Sequence, residues 1–90
     1  MKSTTINNKE YYYKLTLSAC KKFKEKFGVN VINADKQDVE QLQYLLFYGL
    51  EGGAKVNGEK FDLDIGVLDN YDIPQLCEKL LDVKDEPPKK

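Results

Sequence analysis

Val39, Leu42, Leu46, Leu50 and Ala54 recur along one helical face at about 100° per residue, with Leu45, Phe47 and Val56 on its flanks. This run points to a long amphipathic helix, the second of the chain. Gly49 and Gly53 fall beside the stripe, one turn apart. Each interior glycine costs a helix about 0.8–1 kcal/mol relative to alanine. Glycines kept at that cost allow another element to come close to the helix backbone. The pattern predicts one helix from Lys36 to about Asn57, capped by Asp35 or Asn33 and ended by Gly58. A break at Gly52-Gly53 is the alternative.

Upstream, Thr4-Thr5-Ile6, a turn at Asn7-Asn8-Lys9 and the run Tyr11 to Leu17 read as a β-hairpin. On a two-residue period Tyr11, Tyr13, Leu15 and Leu17 share one face, while Tyr12, Lys14 and Thr16 share the other. A lone two-stranded hairpin is unstable, so its apolar side must rest on helices. Ser18 is placed to cap a helix from Ala19 to Phe27 that Gly28 stops, with Ala19, Phe23 and Phe27 inward. Val29, Val31 and Ile32 then supply apolar plugs in a connector. After the second helix, Phe61 to Asp64 is extended, Asp64 or Asp62 caps a short helix from Ile65 to Tyr71, and Asp72-Ile73-Pro74 opens a last helix. Its inner face is Ile73, Leu76, Cys77, Leu80 and Leu81. The expected fold is mainly α within the α+β class, an N-terminal β-hairpin packed on a small bundle of about four helices. Residues 1–83 form the single domain and residues 84–90 a flexible polar tail.

A chain of 90 residues buries roughly 60–65% of its extended surface, so the core is modest. No run of about 18 apolar residues offers a membrane span. Met1 to Lys9 lacks the apolar stretch of a signal peptide, which makes the cytoplasm the expected compartment. Cys20 and Cys77 fall on the apolar sides of their helices and are expected to be free core thiols.

Catalytic and metal chemistry find little support. Histidine is absent, removing the commonest general base and metal ligand together. Gly49 to Lys55 offers glycines and a lysine but lacks the GK[ST] ending of a phosphate loop. Asp62-Leu63-Asp64-Ile65-Gly66 opens like a calcium loop, but the closing position holds Ile73 where glutamate is needed. Ser3 and Ser18 have no base to activate them. No enzyme, cofactor or metal site is expected.

Binding surface remains. Tyr44 and Tyr48 lie one turn apart on the face opposite the core stripe of the second helix, beside Gln41, Glu51 and Lys55. Stacked tyrosines supply rigid contact area at low entropic cost. Either they face a partner or the hairpin covers them. Charge is asymmetric: residues 1–27 carry seven lysines against two acids, and residues 28–90 carry seven against thirteen. Lys21, Lys22, Lys24 and Lys26 make a basic strip, which on a nucleic-acid reading would face phosphates. All the basic residues are lysine, so bidentate arginine recognition is absent and that reading is disfavoured. The candidate protein-binding residues are Tyr44, Tyr48, Glu51, Lys55, Tyr12, Lys21 and Lys24.

The stretch Leu45-Leu46-Phe47-Tyr48-Gly49-Leu50-Glu51-Gly52-Gly53-Ala54-Lys55-Val56-Asn57-Gly58-Glu59-Lys60-Phe61-Asp62-Leu63-Asp64 resembles the small tail assembly chaperones of long-tailed bacteriophages and related gene-transfer-agent proteins. The order of elements is similar over nearly the whole chain: a short polar hairpin, a helix ending in glycine, and a glycine-bearing amphipathic helix leading into Phe-Asp-Leu. Such proteins keep the aggregation-prone tape-measure protein soluble, recruit tail-tube protein and are typically absent from the finished particle. In some phages a frameshift extends them, and Asp85 to Lys90 would suit such a junction. Pro74 departs from the family pattern by restarting the last helix. The resemblance implies a tail assembly chaperone with these two partners and no membrane, and homo-oligomerisation stays open. It carries no residue-level site. The alternative is a structural tail or connector subunit retained in the virion.

Overall fold

The computed structural model describes residues 2–35 and 37–81. An antiparallel hairpin of β1 (Lys2–Ile6) and β2 (Lys9–Tyr13) precedes three α-helices, α1 (Leu17–Phe27), α2 (Val39–Val56) and α3 (Ile73–Leu81). Short 3-10 helices at Val31–Asn33 and Ile65–Asn70 complete the expected α+β arrangement. The 84–90 tail and the expected helix start at Lys36 lie outside the described residues.

The hairpin turns on Asn7 and Asn8, whose φ angles of 54° and 67° suit the two-residue turn that matches strand twist. Register follows: Ile6 pairs with Lys9, Thr4 with Tyr11 and Lys2 with Tyr13. Thr4, Ile6, Tyr11 and Tyr13 are buried on the inner side.

Strand β2 ends at Tyr13, four residues before the sequence pattern expects. The Lys14 N–H donates to the Gly49 carbonyl at 3.0 Å, which turns the chain onto α2. Thr16 then caps α1, its hydroxyl oxygen accepting from the Ala19 N–H at 3.2 Å, so the cap is Thr16 rather than Ser18. Leu17 becomes the first helical residue and is 72% exposed, so the inward place assigned to it by strand alternation is corrected. At the other end Gly28, φ 77°, donates to the Lys24 carbonyl at 2.7 Å, in the left-handed conformation that glycine supplies. Ile32, expected as a core plug, is instead 83% exposed, while Val29 and Val31 pack against buried residues.

Helix α2 runs unbroken through Gly49, Gly52 and Gly53. Asp38 caps it, accepting from the Glu40 N–H at 3.0 Å, whereas Asp35 holds the preceding turn through the Gln37 N–H. The glycines receive the hairpin: a Cβ on Gly53 would strike the Tyr12 carbonyl, and one on Gly49 the Tyr13 ring.

Two apolar clusters flank α2. The larger joins Ile6, Tyr11 and Tyr13 to Leu42, Leu46, Leu50, Leu63, Leu68, Ile73, Cys77 and Leu80. The smaller gathers Phe23, Ala34 and Leu45 between α1 and α2. Full burial of a leucine such as Leu46 or Leu50 contributes about 1.5–3 kcal/mol, which makes this helix the spine of the fold. Asp64 caps the second 3-10 helix and Asp72 caps α3, its carboxylate accepting from the Gln75 N–H at 3.2 Å. Cys77 is buried with a free thiol, and Cys20 is free but only half-buried.

Candidate protein-docking surface

Helix α2 spends three of its faces on the hairpin, α1 and α3, and the fourth carries Tyr44, Phe47 and Tyr48. These sit at i, i+3 and i+4, so their rings share one side of the helix. Tyr44 and Tyr48 have centroids 5.7 Å apart, and Tyr48 meets Phe47 at 5.9 Å. Phe27 at the end of α1 approaches Tyr44 edge-on at 5.6 Å, and Phe61 meets Phe47 at 5.3 Å. All five rings are half-buried. The band is anchored inside the protein at both ends, by Phe23 against Phe27 at 4.9 Å and by Tyr11 against Phe61 at 6.1 Å. Edge-to-face pairs at such separations add about 0.5–1.5 kcal/mol each beyond area burial, so the rings are held in place.

Polar groups frame the band. The Lys26 ammonium stands 4.5 Å from the Tyr44 centroid and 5.8 Å from that of Phe27. Lys22 donates to Glu51 at 2.7 Å and ties α1 to α2. On the opposite rim Gln43 donates to the Asp69 carboxylate at 2.7 Å and the Ile65 carbonyl at 3.2 Å, fixing the second 3-10 helix. Burial raises the Tyr48 phenol above its ordinary value, with Lys26 and Lys22 pulling the other way and Tyr44 and Glu51 adding to the rise. The phenol is therefore neutral near pH 7 and offers a hydrogen bond at the edge of an apolar surface.

Of the seven residues the sequence singled out, Tyr44, Tyr48 and Glu51 come together here, and Lys55 continues their stripe one turn on. Lys21 and Lys24 are exposed on α1 and Tyr12 is half-buried on the hairpin, opposite Ser3. Among the described residues no ring or cation contact of Tyr44 or Tyr48 comes from the hairpin. It packs against the glycines, and the partial cover comes from Phe27 and Lys26 of α1. Sequence reasoning left Phe47, Phe27 and Phe61 out of the surface. The i, i+3, i+4 spacing of Tyr44, Phe47 and Tyr48 was the available signal, masked because Phe47 also borders the core stripe.

Among the described residues no group of histidine, cysteine or acidic side chains is arranged to hold a metal ion, and no helix is long and apolar enough to cross a membrane. No protein-family model, no curated protein and no solved structure matches the chain.

Proposed function

We propose that this chain is a protein-docking module whose working surface is the aromatic band on α2. Within that class, we read it as a tail-assembly-chaperone-like protein that holds a tape-measure protein in soluble form and recruits tail-tube subunits. The observation that carries the docking reading is five half-buried rings in one continuous row, pre-positioned by neighbours and rimmed by Lys22, Lys26 and Gln43. Interfaces concentrate their energy in such aromatic anchors. The finer reading rests on the sequence resemblance, and a partner-holding surface suits it. Leu17, Ile32, Val39 and Val56 also stand exposed, singly, elsewhere on the molecule.

The basic strip favours protein over nucleic acid as partner. Lys22 is spent on Glu51 and Lys26 on Tyr44, which leaves Lys21 and Lys24 facing outward on α1. The test is binding of a purified tape-measure segment by the wild type and by the Tyr44→Ala/Tyr48→Ala variant. Loss of an anchor pair is expected to weaken binding by about 2–4 kcal/mol, roughly 30-fold or more, with helical circular dichroism retained. Unchanged affinity in the folded variant removes the band from the mechanism.

A further inference from the structure

The hairpin has two edges, and among the described residues the fold covers the β2 edge. A two-residue turn makes Ile6 and Lys9 a hydrogen-bonded pair, so Thr4 with Tyr11 and Lys2 with Tyr13 are bonded pairs as well. The backbone groups of Glu10 and Tyr12 therefore point off the free side of β2. That side lies on α2, where the Tyr12 carbonyl meets the glycine face at Gly53. By the same parity Ser3 and Thr5 aim their N–H and C=O groups off the free side of β1. Among the described residues no hydrogen bond reaches those groups, although the Ser3 hydroxyl donates to Glu10 at 2.7 Å.

Strand edges of this kind are normally blunted by a proline, a bulge or a charge pointing into the pairing region. Strand β1 reads Lys2-Ser3-Thr4-Thr5-Ile6, pairs one-to-one with β2 without a bulge and has no proline, and its one charge, Lys2, stands at the start of the strand, outside the Ser3-to-Thr5 span. Threonine and isoleucine favour strands.

We infer that β1 pairs antiparallel with β1 of a second copy of this chain, about a two-fold axis at Thr4, to give one four-stranded sheet. The register is self-consistent. Ser3 falls opposite Thr5 of the second copy, and both carry outward backbone groups, so two such pairs exchange four hydrogen bonds. Thr4 meets its own mate across the axis, and Lys2 falls beside Ile6, so no like charges are directly opposed. Two-fold closure uses the same edge twice and leaves none to propagate. A five-residue edge buries less than the ~1,200 Å² of a stable standard interface, which places this association at the weak, concentration-dependent end. The site is separate from the aromatic band and does not depend on what the band binds.

The test is sedimentation equilibrium of the full chain from about 10 μM to 1 mM, a range matched to weak pairing. Amide hydrogen exchange is read at both limits. The mass is expected to move from monomer toward dimer, and the Ser3 and Thr5 amides to gain protection as it does. Thr5→Pro removes only an outward N–H and is expected to stay folded and monomeric across the range. If that variant fails to fold, Ser3→Pro removes the other outward N–H and supplies the same block. A wild type that stays monomeric with unprotected Ser3 and Thr5 amides overturns the inference, as does a dimer that persists in a folded edge variant.

Discussion

The Tyr12 carbonyl crosses α2 where only hydrogen stands on Gly53, and with the contacts at Gly49 and Gly52 this sets how closely the hairpin can approach. Helix propensity alone says Gly53→Ala should gain about 1 kcal/mol. The added methyl meets backbone that cannot rotate aside, and overpacking of this kind typically costs about 1–3 kcal/mol. The expected outcome is a net loss of about 1 kcal/mol, seen in a urea melt, and an unchanged or raised midpoint would contradict the packing described. Cys77 offers a second test. Burial pushes its thiol from an ordinary 9.0 up to about 12, with Sγ facing the Leu42 carbonyl at 3.6 Å. Burial also holds the Tyr13 phenol well above the usual range, with smaller contributions from Cys77 and Cys20. In both cases the unfolded chain loses its proton first as pH rises. Stability is therefore complete below about pH 9 and falls between about pH 9 and 12. The melting temperature should drop over that interval, less steeply in Cys77→Val. At neutral pH a thiol reagent should modify half-buried Cys20 well before Cys77.

Elements were legible where one local signal ruled and misread where two competed. The unbroken α2 follows from its stripe, and the Asn7-Asn8 turn and the Gly28 stop need no tertiary information. The junction of β2 with α1 does. Leu15, Thr16 and Leu17 continue a strand-like alternation, while Thr16 is equally a helix cap, and the Lys14 bond to the Gly49 carbonyl decides for the cap. That bond is long-range and leaves no local trace in the sequence. The cap assignment is testable: Thr16→Ala should cost about 1 kcal/mol and Ser18→Ala only a few tenths. The reverse order would return the cap to Ser18. Similarly, Asp35 and Asp38 both have the chemistry of a cap, and the turn bond from Gln37 to Asp35 separates them.

At the scale of the whole molecule, α2 divides two apolar clusters and carries an aromatic row across the surface between them. The tyrosines of that row could be read from helical spacing. Phe27 and Phe61 could not, because they arrive from elements 17 residues before and 13 residues after Tyr44 and Tyr48 respectively, placed by packing alone. This row is proposed to hold a partner protein. The most direct test is co-expression with a tape-measure protein, the partner proposed above, using wild type and a Tyr44→Ser/Phe47→Ser/Tyr48→Ser variant checked for native circular dichroism. On this proposal the wild type keeps the tape-measure protein soluble and co-purifies with it, and the folded variant does neither. Equal solubility and co-purification with both, or none with the wild type, would contradict it.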